Sequence, residues 1–293
     1  MTRIEAHGHR GARGLRPENT LPAFAHALSI GVDAVELDVG LTADGVPVVH
    51  HDQTLSALTA RDTLYPCVGR PIRELTLAQI KTVDAGVRRA LDADDPFVLT
   101  QLPMPGTPVA TLAEVCALVG GSPVGLAVEL KTDPTWSDAA VGEFVEAVVA
   151  VLDAHGMTAR SRLLGFDWRF LPHARRHAPA AHRSALVETP TLDPAWLAGQ
   201  DPAHPAAGAF AAGATVFSPQ HVILTRGLYD DAASLGMPVT VWTVNEPAEM
   251  IQFMDMGVAA IVTDYPDRLR EAMRLRGLPL PRRHHPRRHA TAR

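Results

Sequence analysis

Residues 34–52 read AVELDVGLTADGVPVVHHD and contain two apolar runs separated by a short polar stretch. The residues between Val39 and Pro47 are too few for a crossover helix, because a parallel connection needs about a dozen residues or more. They include Asp44-Gly45, a pair that is typical of tight hairpin turns. We therefore expect residues 47–51 to run antiparallel to an extension of the strand that begins at residue 34.

Apolar runs of strand length recur along the rest of the chain and alternate with helical segments, which are clearest at 21–30, 139–152 and 228–235. The predicted strands lie at residues 4–9, 34–39, 47–51, 124–130, 162–166, 183–187, 215–217, 239–244 and 260–263. Without the hairpin strand eight remain, which favours an α/β fold, a (β/α)8 TIM barrel with a β-hairpin excursion after strand 2. A doubly wound α/β sheet is the alternative fold.

We expect one domain, a barrel over residues 1–278, that carries an insertion at about 53–110 before strand 3. Helices are predicted near 76–84 and 112–119, while residues 92–108 contain four prolines and indicate an irregular loop. Residues 279–293, PLPRRHHPRRHATAR, are predicted to form a basic, disordered tail.

Charge and composition exclude several classes of protein. The net charge is −5, and the sequence has no basic stripe that would bind nucleic acid. It also has no run of about 18 apolar residues, so stable membrane insertion is not expected. Two cysteines without CxxC spacing argue against a disulfide scaffold and a zinc-thiolate site. The N-terminal residues lack the apolar core of a signal peptide, so the expected location is cytoplasmic, and the alternative is an exported form from which a signal peptide has been removed. The expected partner is a small-molecule substrate, and the oligomeric state is left open.

Carboxylates stand near the carboxyl ends of two predicted strands, where TIM barrels place their functional groups. Glu36 and Asp38 share one face of their strand, because side chains alternate along a strand, and Glu129 ends the next barrel strand. Three inward carboxylates would repel one another unless a cation lay among them, and oxygen ligands favour Mg²⁺ or Ca²⁺. The alternative is a set of carboxylates neutralised by Arg10 and Lys131.

Two histidines, His9 and His51, end predicted strands on the same side of the barrel. Imidazole titrates near neutral pH, so the pair is suited to act as acid and base. Asp52 could orient a neighbouring imidazole or cap a turn. His7 and His50 are interpreted as structural residues.

These strand ends belong to a series of short motifs that occur in one order along residues 4–270. The motifs are His9-Arg10-Gly11, Pro17-Glu18-Asn19-Thr20, Glu36-x-Asp38, His51-Asp52, Glu129-x-Lys131, Trp242-Thr243-Val244-Asn245 and Thr263-Asp264-Tyr265-Pro266. In this series the chain resembles the glycerophosphodiester phosphodiesterase family.

The resemblance implies a TIM barrel that hydrolyses glycerophosphodiesters, such as glycerophosphocholine, to sn-glycerol 3-phosphate and an alcohol. It also implies roles for particular residues. Glu36, Asp38 and Glu129 would bind one divalent cation, and His9 and His51 would be the catalytic acid–base pair. For substrate binding, Arg10 and Lys131 would contact phosphate, Glu18 would support the site, and Phe166 and Trp242 would line the glycerol or head-group side.

Two other functions are compatible with the same barrel. One is a phosphodiesterase of the same superfamily that cleaves intact phospholipids, and the proline-rich loop is where a membrane-binding element would lie. The other is a non-catalytic phosphate-binding barrel, whose expected signature is the loss of a histidine or carboxylate from the set above. The attacking nucleophile, water or the substrate's own 2-hydroxyl, is left open.

Overall fold

The computed structural model describes residues 3–90, 92 and 94–285. Its strands are β1 Glu5–Gly8, β2 Ala34–Leu41, β3 Pro47–Val49, β4 Arg61–Asp62, β5 Val83–Asp84, β6 Gly125–Leu130, β7 Ser161–Gly165, β8 His182–Val187, β9 Val216–Pro219, β10 Thr240–Val241 and β11 Ala260–Thr263. Its α-helices are α1 Leu21–Ile30, α2 Leu77–Ile80, α3 Leu112–Gly120, α4 Asp138–Ala154, α5 Phe170–His177, α6 Pro205–Ala212, α7 Arg226–Ser234, α8 Pro247–Met256 and α9 Pro266–Leu275.

Parallel strands form the barrel in the order β10-β11-β1-β2-β6-β7-β8-β9. The two ends of this order meet through parallel bridges between Phe217 and Val239 and between Gln220 and Trp242. A doubly wound sheet would leave two open edges, so this closure confirms the TIM barrel within the described residues. Asp38 on β2 lies in register with Glu129 on β6, which brings two of the predicted ligands side by side.

The hairpin predicted after the second strand is confirmed. β3 pairs antiparallel with the extended end of β2, with Val39 opposite Val49 and Leu41 opposite Pro47. The turn places Gly45 at φ +76°, a conformation that glycine adopts without steric cost. The backbone N–H of His50 still donates to Asp38 (3.1 Å), so β2 holds the chain directly before His51.

The insertion contains a small sheet and its own apolar core. The helix predicted at 76–84 is wrong in its second half: α2 ends at Ile80, and β5 pairs antiparallel with β4. A capping box between Thr76 and Gln79 starts the helix. Pairing with β4 then extends the chain at Val83, whose side chain is buried, so tertiary contacts outweigh helix propensity there. The helix predicted at 112–119 is confirmed as α3.

Helices cover the outside of the barrel with their apolar faces. In α4 the buried side chains recur at three- and four-residue spacing, as an amphipathic helix requires: Val141, Phe144, Val145, Val148, Val149 and Leu152. Ser137 caps the first turn of α4 by accepting from the backbone N–H of Ala140. Among the described residues, no helix combines the length and the apolar character needed to cross a bilayer.

The first part of the predicted tail lies against the barrel, at the end opposite the carboxyl ends of the strands. His284 donates its backbone N–H to Leu28 (2.8 Å), and the carbonyl of Pro281 accepts from Arg270 (2.5 Å). Pro281 is buried. The rest of the tail predicted to be disordered, residues 286–293, lies outside the described residues.

Candidate active site

A cavity of about 840 Å³ opens at the carboxyl ends of the barrel strands. It is lined by most of the side chains predicted from the sequence, namely His9, Arg10, Glu36, His51, Glu129, Lys131, Phe166 and Trp242. The other two, Glu18 and Asp38, lie against Arg10, a residue of the cavity wall. The structure therefore brings all the predicted site residues together at one mouth.

Three carboxylates meet at the centre of this cavity. One oxygen each from Glu36, Asp38 and Glu129 lies within 4.8 Å of the others. All three side chains are almost fully buried. The side-chain amide of Asn19 makes two hydrogen bonds with Asp38. Its Nδ2 donates to the Asp38 carboxylate (2.8 Å), and its Oδ1 accepts from the Asp38 backbone N–H (3.2 Å).

Two cations offset part of this charge. Lys131 Nζ lies 2.6 Å from Glu129 and 3.6 Å from Asp38, while Arg10 Nη1 donates to Glu18 (2.5 Å) and Arg10 Nε lies 3.2 Å from Asp38. Arg10 sits at φ +47°, held by hydrogen bonds from its backbone N–H to Glu36 (2.7 Å) and from Asn19 to its carbonyl (3.1 Å). Arg10 and Lys131 therefore neutralise part, and not all, of the negative charge of these carboxylates.

Glu36 is the carboxylate of the three without a strong cationic partner among the described residues. The group that it meets is His9, whose Nε2 is 3.9 Å away and whose pKa burial lowers to about 4. Burial, followed by the charges of Asp38 and Glu129, raises the pKa of Glu36 well above its usual range. Burial raises the pKa of Glu129 as well, although Lys131 opposes the shift. A cluster of oxygen ligands with excess negative charge could hold a divalent cation.

His9 is oriented by a buried aspartate. Its Nδ1 lies 2.7 Å from Asp264, which also accepts from Arg13 Nε (2.8 Å) and Nη2 (2.9 Å) and from Asn245 Nδ2 (2.7 Å). Burial would raise the pKa of Asp264, but His9 and Arg13 hold it far below its usual range. Burial lowers the pKa of His9 to about 4, against the attraction of Asp264. With Nδ1 engaged, Nε2 of His9 faces the carboxylates.

His51 has a similar arrangement on the more open side of the cavity. Its Nδ1 lies 2.6 Å from the carboxylate of Asp52, so the orienting contact considered from the sequence is present. Neighbouring His50 is buried, and its Nδ1 forms a hydrogen bond with the backbone carbonyl of Asp52 (3.0 Å), which agrees with a structural role. Two imidazoles, each with an aspartate on Nδ1, thus have Nε2 available for proton transfer.

Aromatic side chains form the apolar part of the wall. The rings of Phe166 and Trp242 meet edge to face, with centroids 5.5 Å apart. Trp242 is anchored by its indole N–H, which donates to the carbonyl of Ser218 (2.8 Å). The ammonium of Lys131 lies 5.9 Å from the centre of the Phe166 ring.

Sequence reasoning did not assign several residues that the structure places in or beside the cavity. Asp264 directly follows β11 and belongs to a strand-end motif, but no role was inferred for it from the sequence. Glu188 directly follows β8, so the same strand-end rule could have found it. Asn19 and Asn245 belong to motifs that did not indicate a role for them, and Arg13 belongs to none of the motifs. Trp196 lies on a long loop and gave no sequence signal.

Comparison with known proteins extends over most of the chain. Residues 9–268 match the model of the glycerophosphoryl diester phosphodiesterase family. A solved structure from Silicibacter pomeroyi, provisionally described as such an enzyme, is 35% identical with a TM-score of 0.85, covering 94% of this chain and 95% of that one. A glycerophosphodiester phosphodiesterase from Caldanaerobacter subterraneus is 26% identical over 269 residues, 92% of this chain and 97% of the relative.

The fold is also shared with a phosphodiesterase from Oleispira antarctica that was solved in complex with the product sn-glycerol-3-phosphate. That structure has a TM-score of 0.72 at 24% identity, covering 92% of this chain and 96% of that chain. The resemblance inferred from the strand-end motifs is confirmed by the family match over residues 9–268. This chain therefore belongs to the glycerophosphoryl diester phosphodiesterase family and is a phosphoric diester hydrolase.

Proposed function

We propose that the chain hydrolyses glycerophosphodiesters, such as glycerophosphocholine, to sn-glycerol 3-phosphate and an alcohol, using one divalent cation and two histidines. The observation that carries this proposal is the arrangement of two aspartate-bound imidazoles, His9 and His51, around three carboxylates in one cavity. The Oleispira antarctica relative, solved with sn-glycerol-3-phosphate, supports the identity of the product.

Glu36, Asp38 and Glu129 would hold the cation, and their oxygen-only chemistry suits Mg²⁺ or Ca²⁺. When bound, the cation supplies positive charge to the non-bridging phosphate oxygens, where negative charge builds up during displacement. Arg10 and Lys131 lie beside the same carboxylates, where they would contact the phosphate. Glu18 fixes the Arg10 guanidinium, and so supports the site from outside the cavity.

The histidines move the two protons of the reaction. One accepts the proton of the nucleophile at Nε2 and the other donates a proton to the leaving oxygen, each contributing a factor of about 10²–10⁴. The pair serves attack by water and attack by the glycerol 2-hydroxyl equally well. ³¹P NMR during turnover separates the two routes, since only the second passes through a cyclic phosphate.

The direct test is a coupled assay for sn-glycerol 3-phosphate release over a panel of glycerophosphodiesters. We expect turnover with added Mg²⁺ or Ca²⁺, loss of turnover in EDTA, and recovery when the cation is returned. Absence of product from every member of the panel would contradict the substrate assignment. Full activity in rigorously metal-free protein would contradict the cation assignment.

One surface favours a second candidate, hydrolysis of lipid phosphodiesters by the same site. The insertion exposes four apolar side chains on one loop: Val98, Leu99, Leu102 and Met104. This loop adjoins the site, because Gln101 donates to the carbonyl of Arg13 (2.7 Å) and Leu102 to that of Leu15 (3.1 Å). Comparing glycerophosphocholine with phosphatidylcholine vesicles decides between the candidates, and faster turnover of the vesicles would favour the second.

A further inference from the structure

Glu188 adds a carboxylate to the cavity wall outside the predicted cation cluster. It directly follows β8 and lines the same cavity as Lys131 and His51. It is only partly buried, and among the described residues no arginine, lysine or histidine forms an ion pair with it. Lys131 is instead engaged by Glu129 and Asp38.

Such a carboxylate is unfavourable in a cavity that must accept an anionic phosphodiester, because like charges repel most strongly away from bulk water. Burial raises the pKa of Glu188, while the charges of Lys131 and His51 act to lower it. The charge of Glu188 therefore interacts with two of the predicted site residues. The repulsion disappears if the substrate brings its own positive charge to this side of the cavity. A zwitterionic diester does so, and a diester with an uncharged head group does not.

Aromatic rings accompany Glu188 in the cavity wall. Trp196, Phe166 and Trp242 line the same cavity, and the last two stand edge to face. The Lys131 ammonium near the Phe166 ring shows that an aromatic surface here already neighbours a cation. Aromatic faces attract ammonium groups, and protein sites for quaternary ammonium ligands combine such faces.

We infer that Glu188, together with Trp196, Phe166 and Trp242, binds a cationic head group, an alcohol carrying an ammonium or quaternary ammonium group. The inference rests on the proposed function and deepens it, since it selects zwitterionic glycerophosphodiesters as the preferred substrates. It also assigns the aromatic wall to the head-group side rather than the glycerol side of the substrate.

The variant Glu188→Gln removes the charge and keeps the shape of the side chain. We expect the ratio of kcat/KM for glycerophosphocholine to that for glycerophosphoglycerol, whose head group is uncharged, to fall about tenfold. Asp193→Asn is the matched control, because it removes a carboxylate from the same loop at an exposed position outside the cavity wall. It should leave the ratio unchanged.

An unchanged ratio in Glu188→Gln overturns the inference, because a carboxylate that contacts the shared glycerol phosphate would affect both substrates equally. Binding without turnover gives an independent measurement. Tryptophan fluorescence should report choline binding to the wild type, weaker binding to Glu188→Gln, and weaker binding of 3,3-dimethyl-1-butanol, the uncharged analogue. Equal binding of choline and the analogue overturns the inference, whereas failure of the proposed function would appear as absent turnover of every diester.

Discussion

His9 and His51 reach the cavity from different strands, and each rests on an aspartate through Nδ1. An aspartate in this position holds the imidazole in one orientation and stabilises its protonated form. The two aspartates differ in environment. Asp264 is fully buried, whereas Asp52 has about half of its side chain exposed (47%).

Replacing either histidine should abolish most of the turnover and preserve the fold. We expect His9→Ala and His51→Ala each to lower kcat by about 10²–10⁴, because each removes one proton-transfer step. Circular dichroism should remain that of the wild type. His155→Ala is the control, since His155 is exposed at the end of α4 and lies outside the cavity wall. Activity near the wild-type level in both cavity variants would contradict the acid–base assignment.

The two aspartates should respond unequally to loss of charge. Asp264→Asn should reduce kcat by at least about 10²-fold and lower the thermal midpoint, because it removes the orienting charge and leaves Arg13 without its buried partner. Asp52→Asn should have the smaller effect on both, since water screens an exposed pair. Steady-state kinetics with thermal unfolding measures the difference, and equal losses would refute the argument from burial.

At the scale of elements, the hairpin explains how the barrel obtains a second histidine without another crossover. β2 supplies Glu36 and Asp38 and then continues to pair with β3, which delivers His51 to the same mouth. The connection depends on a tight turn in which Gly45 has positive φ. Sequence and structure agree here because the turn is local, and its residues determine its backbone conformation.

Gly45→Ala should destabilise the protein by about 1 kcal/mol, because a side chain disfavours positive φ and nothing else lies within 4 Å of the new methyl group. The same change in α7, Gly227→Ala, should be neutral or stabilising, since alanine favours a helix by up to about 1 kcal/mol. Urea unfolding compares the two variants. A stabilised Gly45→Ala protein would contradict the turn geometry.

At the scale of the whole molecule, the candidate site lies at one end of the barrel, and stabilising ion pairs lie at the other end. Glu5, at the start of β1, lies at the end opposite the catalytic cavity, where it pairs with His7 (3.0 Å) and Arg162. Burial acts to raise the pKa of Glu5, but the hydrogen bond from His7 and the charges of His7, Arg162 and Arg3 lower it to about 2. The ordinary pKa of a glutamate, which applies in the unfolded chain, is 4.5.

A carboxyl group whose pKa is lower in the folded state binds fewer protons there, so it stabilises the protein above the unfolded pKa. The contribution is lost as pH falls from about 4.5 towards about 2. Glu5→Gln should therefore cost on the order of 1 kcal/mol at pH 7, after allowance for solvent screening, and progressively less below pH 4.5. Urea unfolding from pH 7 to pH 3 measures this, and a constant difference would contradict it. Activity at pH 7 should be unaffected.

Most of the barrel and the central part of the site were predictable because they depend on local patterns. Strand length, helix periodicity and the Asp44-Gly45 turn are set by neighbouring residues, and the strand-end rule then placed Glu36 and Glu129 at one mouth. The error at 76–84 arose where the chain pairs with a distant partner, β4, which no local pattern could reveal.

The sequence by itself determined the order of strands and helices, the hairpin, and which chemical groups stand at the strand ends. Only the tertiary structure decided how those groups are paired. Asp264 meets His9 across 255 positions of the chain, and Glu36 rather than Asp38 is left without a strong cationic partner. Charges interact through space according to distance and burial, so the closure of the barrel, and not the spacing of residues along the chain, sets the electrostatics of the cavity.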